Sequence, residues 1–176
     1  YVEGVYDTPS NPSSFIGRAG HVALENFYKG ASKEISIMLG LEYLRNVPDF
    51  DINFGKVKSK HAKAKKRKAM EKDYNQAVSF YLEKPPRYKV LGVEVKGMAE
   101  VEGLLLPLKA VSDLVIESKV ERGSVDIVDH KFVDSFSAQK TNKTLFIIQA
   151  IFNYYTVQET FGKPVRRFIV NECKKS

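Results

Sequence analysis

A chain of 176 residues that is 43% hydrophobic can bury a real core as one globular domain. No apolar run approaches the roughly 18 residues that cross a bilayer, the greasiest stretch, LFIIQAIF, being interrupted by Gln149. The net charge is +7, and the lone Cys173 excludes an internal disulfide and a four-cysteine zinc or iron–sulfur site. A reducing, intracellular setting fits this cysteine usage. The sequence starts at Tyr1 rather than Met; no signal peptide is read there, and an upstream segment is left open.

In chain order, NPSSFIGRAGHVALENFYKG predicts a helix capped by Ser13 or Ser14 and stopped near Gly30. Residues 31–47 continue in helical pattern until Pro48 and the alternating acids of VPDFDINFG break it. KVKSKHAKAKKRK, residues 56–68, then holds eight Lys or Arg and no acid, so the rest of the chain carries only −1. This run has too little apolar face for a membrane-surface helix. It reads as a solvated helix or loop, as a row of contacts to nucleic-acid phosphates, or as a nuclear address signal. A helical block over 59–82 ends at Pro85-Pro86.

From there the period changes to two. YKVLGVEVKGM, LPLKAVSDLVIES and SVDIVDHKFV predict three strands, the last two joined by a turn at Glu121-Arg122-Gly123. A helix over 143–161 stops at Gly162 with Pro164 beyond, and VRRFIVNEC closes the chain as a strand. The order predicts an α/β fold, a mixed central β-sheet flanked by helices.

Asp113 sits in a strand of Leu, Val and Ile, and the strand paired with it carries Asp129 and Lys131, which point to one side. Taken alone, the i, i+2 pair is a surface ion pair of roughly 0–1 kcal/mol. An acid in each of two paired apolar strands is costly unless a cation gathers them, and two carboxylates suit Mg²⁺ or Mn²⁺. Acids on the solvent face of an edge hairpin are the other reading.

These residues resemble the PD-(D/E)XK nuclease superfamily, in particular its RecB-like exonuclease branch. SDLVIES…SVDIVDHK resembles the signature of an Asp followed in the next strand by (D/E)-x-K, and GRAGHVALE (Gly17, His21, Leu24, Glu25) resembles the G-x-x-x-H-x-x-L-E motif. Gln149 falls where that branch carries its helical glutamine. The resemblance spans roughly residues 14–172 and implies an αβββαβ core in a single 1–176 nuclease domain, with 45–90 as a basic helical insert. The chain departs from the pattern at Phe132 (usually a small hydroxyl residue), at Ala110 (usually Gly) and at Asn153 (usually Tyr). A second acid-x-Lys match, Glu172 to Lys174, ranks below the first because no acid-bearing hairpin strand precedes it. Without four cysteines the chain resembles the cluster-free subset of lambda-exonuclease and mitochondrial-exonuclease type.

What the resemblance implies is a Mg²⁺- or Mn²⁺-dependent DNA exonuclease of recombination, repair or phage replication, with two ions and no iron–sulfur cluster. Asp113, Asp129 and Lys131 would be catalytic. His21, Asp113, Asp129 and the His130 carbonyl would bind metal, Lys131 would orient the attacking water, and Gln149 would contact the site or DNA. Lys63, Lys65, Lys66, Arg67 and Lys68 are the expected phosphate contacts. The expected partner is DNA with linear or single-stranded ends, with no membrane and no reading of oligomeric state. The expected location is the cytoplasm, that of the host if the gene is a phage's. The alternatives are a structure-specific endonuclease on the same fold and a nucleic-acid-binding module that has lost catalysis. The latter would be marked by a missing Asp113, Asp129 or Lys131, and none is missing.

Overall fold

A computed structural model describes residues 9–136 and 143–175, with the side chains of 143–145 left out. The chain divides into two compact units, one of residues 1–84 with 174–176 and one of residues 85–173.

The first unit is helical. Its helices are α1 (Pro12–Tyr28), α2 (Lys33–Asn46) and α3 (Lys60–Glu83), with a short 3₁₀ turn at Asp49–Asp51. The cap of α1 is Asn11, whose Oδ1 accepts the Ser14 N–H at 2.8 Å, and not Ser13 or Ser14 as the sequence predicts. Pro12 explains the difference: it lacks an N–H and presets φ for the first helical position, so the cap must precede it. Ser32 and Ser59 cap α2 and α3.

Phe15, Ile16, Ala19, Ala23 and Leu24 form the buried stripe of α1, at the three- and four-residue spacing a helix requires. On α3 the buried residues are Met70, Tyr74, Ala77, Val78 and Leu82, all after the basic run. Residues 45–90 therefore supply α3, which packs on both α1 and α2. Tyr74 is fully buried and donates to the Ile37 carbonyl at 2.7 Å, and that burial raises its phenol above the ordinary range.

The second unit is a sheet with one helix. β1 (Val90–Ala99), β2 (Leu108–Glu117) and β3 (Val125–Val133) form an antiparallel meander. The turn before β3 is made by Gly123, whose φ of +86° a side chain would resist. α4 (Lys143–Phe161) leads to β4 (Val165–Lys174), which lies beside β3 in the order β1-β2-β3-β4. The Val125 N–H donates to the Pro164 carbonyl at 3.0 Å, so β3 and β4 begin side by side and the sheet is mixed.

α4 packs on β1 and β2. Its approach is set by Gly97, where an added Cβ would lie 2.8 Å from the Thr156 Cβ and 3.0 Å from the Thr156 carbonyl oxygen. Val115, Val125, Ile127 and Val157 form the core here, closed by Phe161 and Phe168. Cys173 is buried, which pushes its thiol up to about 12. Among the described residues no helix is long and apolar enough to cross a membrane.

Candidate functional site

The ladder between β2 and β3 runs from Glu117↔Val125 to Leu114↔Val128 and goes no further. The next residues on the two strands are Asp113 and Asp129. Past the end of a ladder the backbone N–H groups need other acceptors. One is supplied by a side chain: Asp113 Oδ2 accepts the His130 N–H at 2.7 Å. The His130 side chain is buried, with Nδ1 3.8 Å from the same oxygen.

Asp129 and Lys131 point to one side of β3, as their spacing requires. Lys131 Nζ donates to Asp129 Oδ1 at 3.0 Å and to Gln149 Oε1 at 3.1 Å. Gln149 Nε2 donates to the same Asp129 oxygen at 2.7 Å. The glutamine of α4 thus turns its amide carbonyl to the ammonium and its amide NH₂ to the carboxylate, which closes a triangle. Asp129 is only 3% exposed. Its Oδ2 lies 3.0 Å from Lys131 Nζ but has no hydrogen-bond partner, although it is shut off from solvent. The charge of the ammonium meets this oxygen, whose lone pairs are left without a hydrogen bond.

Glu94 joins this end of the sheet, a residue to which the sequence pattern assigns no role. The register brackets it against Asp113, since Val93 pairs with Leu114 and Val95 with Ser112. A carboxylate oxygen of Glu94 lies within 4.8 Å of one of Asp113, and both residues are half-buried. Its φ is +50°, rare for a side-chain-bearing residue inside a strand. Two partly desolvated carboxylates this close repel one another, and a proton or a cation between them relieves the repulsion. The available signal was an acid in the otherwise apolar VLGVEV.

Asp113, Asp129, Lys131 and Gln149 thus come together at the open end of the β2–β3 hairpin, with Glu94 as an addition. Among the described residues, Glu94 and Asp113 bring carboxylate oxygens within 4.8 Å of each other and could share a hard cation, while Asp129 stands at the same end of the sheet outside that cluster. His21 lies half-buried on α1 in the helical unit, and one turn on Glu25 is ion-paired with Lys29.

The five expected phosphate contacts divide. Lys65 and Lys68 are exposed. Lys66 Nζ donates to the Phe54 carbonyl at 2.9 Å, and Lys63 Nζ stands 5.5 Å from the centre of the Phe54 ring. Arg67 is bound on three sides: to Asp49 Oδ1 at 2.8 Å, to the Leu44 carbonyl at 3.1 Å and to the Val47 carbonyl. It satisfies carbonyls that the end of α2 leaves without intrahelical donors. Three of the five cations are thus engaged in the helical unit's own structure, and two project from it.

No protein-family model, no curated protein and no solved structure matches the chain.

Proposed function

We propose that this chain is a metal-dependent deoxyribonuclease of PD-(D/E)XK type, hydrolysing DNA phosphodiester bonds from an end. The observation that carries this reading is the Asp129–Lys131–Gln149 triangle at the point where the β2–β3 ladder stops beside Asp113. The element order, with three meander strands, a helix and a returning strand, supports it.

The residues fit a hard divalent cation. Asp129 Oδ2 is a buried oxygen without a hydrogen-bond partner, and Glu94 and Asp113 bring two more carboxylates to the same end of the sheet. Asp113, Asp129 and the His130 carbonyl would hold Mg²⁺ or Mn²⁺, which when bound supplies charge stabilisation for displacement at phosphorus. The other groups act by position. Lys131, fixed by Asp129 and Gln149, holds an attacking water or a phosphate oxygen by its third N–H. Gln149 keeps the ammonium from swinging to solvent. The Asp113 side chain, by taking the His130 N–H, sets the peptide next to Lys131.

Digestion of end-labelled linear DNA with Mg²⁺, with Mn²⁺ and with chelator tests this. The expected result is metal-dependent loss of label from linear DNA while closed circles survive. Rapid cutting of circles to discrete linear products would move the reading to an endonuclease. Metal-independent binding without cleavage would reduce it to a binding module.

A further inference from the structure

β4 is the last strand of its sheet, and among the described residues no strand pairs its outer side. Every second residue of this ten-residue strand turns its N–H and C=O groups away from β3; such a row is a template for another chain, and such edges are usually blunted by proline, bulges or short length. This one has no proline, and its centre is Phe168-Ile169-Val170. The α4 flank is apolar as well. Ile147, Ile151, Tyr154 and Tyr155 are 54%, 47%, 39% and 40% exposed, and with Val165 and Phe168 they line a groove of about 470 Å³. An exposed apolar helix face beside an open strand edge is unusual for a surface that stays in water.

We propose that the chain forms a two-fold dimer in which β4 pairs antiparallel with β4 of a second copy, centred on Ile169, with the two α4 faces meeting across the same axis. The backbone and the charges select this register. Pro164 turns its carbonyl to β3, so in a regular parallel ladder Arg167, Ile169 and Asn171 turn their N–H and C=O groups to the open edge. A two-fold axis must pair outward residues with outward residues. Centred on Ile169, it does so and sets Arg166 opposite Glu172 of the partner subunit and Phe168 opposite Val170 of the partner subunit. Both are pairs without mutual hydrogen bonds, whose Cα atoms stand about 4.5 Å apart, so opposite charges and apolar side chains meet at closest range. An axis at Phe168 would set Arg166 against Val170, and one at Val170 would set it against Lys174.

Arg166 can exchange partners, because its ion pair with Glu121 is open to solvent on both sides, at 60% and 56% exposure, and the half-buried Glu172, already engaged in its own chain, takes the added contact on the further lone pairs of its carboxylate. A ten-residue strand with four large apolar side chains beside it is on the scale of the ~800 Å² per partner of a standard interface. The second copy alone brings the matching edge, the matching apolar face and the inverted charge order together.

Sedimentation of the full chain tests the proposal. The unaltered protein is expected at twice its 19.9 kDa. Arg166→Glu and Glu172→Arg, each alone, bring like charges together and are expected to weaken dimerisation by about tenfold or more. Their equimolar mixture is expected to restore the dimer, because every 166–172 contact then joins opposite charges. If either variant loses its fold, amide exchange at Arg167, Ile169 and Asn171 of the unaltered chain decides. Protection that rises with protein concentration supports the pairing, and protection that does not change overturns it. A chain that stays at its single mass at all concentrations also overturns it, as does a dimer that both variants leave intact or an edge taken only by a different protein.

Discussion

Asp126 and Asp129 stand three residues apart on β3, so they point to opposite faces, and both are shut off from solvent at 0% and 3% exposure. Their bonding is alike in kind. One oxygen of each takes two hydrogen bonds and the other takes none: Asp126 Oδ2 accepts from Arg167 Nε at 3.1 Å and Nη2 at 2.6 Å, and Asp129 Oδ1 accepts from Lys131 and Gln149. Their addresses differ. Asp126 lies inside the ladder, opposite Ile116, where the backbone on either side is fixed. Its one cation comes from the neighbouring strand, and the bond to Asp126 raises the Arg167 pKa further. Asp129 lies beyond the last rung, at the end of the sheet that also carries Asp113 and Glu94. Inside the ladder the buried acid is held as a structural pair with an arginine of the next strand; past its end, the buried acid is held by a lysine of its own strand and a glutamine of the helix.

The largest effect should come from breaking the pair inside the ladder. Arg167→Ala leaves a fully buried carboxylate without its cation and is expected to cost about 3 kcal/mol in urea unfolding. A loss below about 1 kcal/mol would erase the distinction between the two acids. Past the ladder the outcome should invert. Asp129→Ala, which leaves a 31% exposed ammonium able to turn to solvent, is expected to shift stability by less than about 1 kcal/mol while cleavage falls by about 100-fold or more, near 2.7 kcal/mol in the barrier. Gln149→Ala, which frees the ammonium but leaves both charges, is expected to cost about tenfold in cleavage, near 1.4 kcal/mol; full activity would mean that the triangle is held without it. The smallest effect tests the same contrast in the helical unit. Lys65→Gln with Lys68→Gln should leave the melting temperature unchanged and flatten the salt dependence of DNA binding, the log–log slope falling by about 0.7–0.9 for each phosphate no longer neutralised. Arg67→Ala should instead lower the melting temperature, since it releases Asp49 and two carbonyls.

Much of the second unit was legible because its signals are local. The alternation of VLGVEVKG, LKAVSDLVI and SVDIVDHKFV marks β1 to β3, and the Gly162 and Pro164 pair marks the end of α4. Asp113, Asp129, Lys131 and Gln149 could be singled out because an acid, a lysine or an amide stands out in an apolar element. The same logic did not separate Asp126 from Asp129, since SVDIVD presents both in one pattern, and what distinguishes them is a partner 41 residues away and the point where pairing stops. Glu94 was hidden for a related reason, as a backbone twist leaves no mark in composition. The bonds of Arg67 within the helical unit were hidden among eight like charges, because the carbonyls of Leu44 and Val47 that it meets at the end of α2 carry no side-chain signature.

Lys175 donates to Ser13 Oγ at 2.7 Å, so the helical unit that begins the chain also receives its last described residue. On the ribosome this sets an order. Residues up to 84 emerge first and hold all three helices, which can collapse on one another while the strands are still inside the exit tunnel. The segment from 85 to 173 then folds as an excursion between two parts of a unit already formed. The lysine can fasten the first turn of α1 only once position 175 has cleared the tunnel, so a released product ending at residue 174 would keep every strand and lack that clasp.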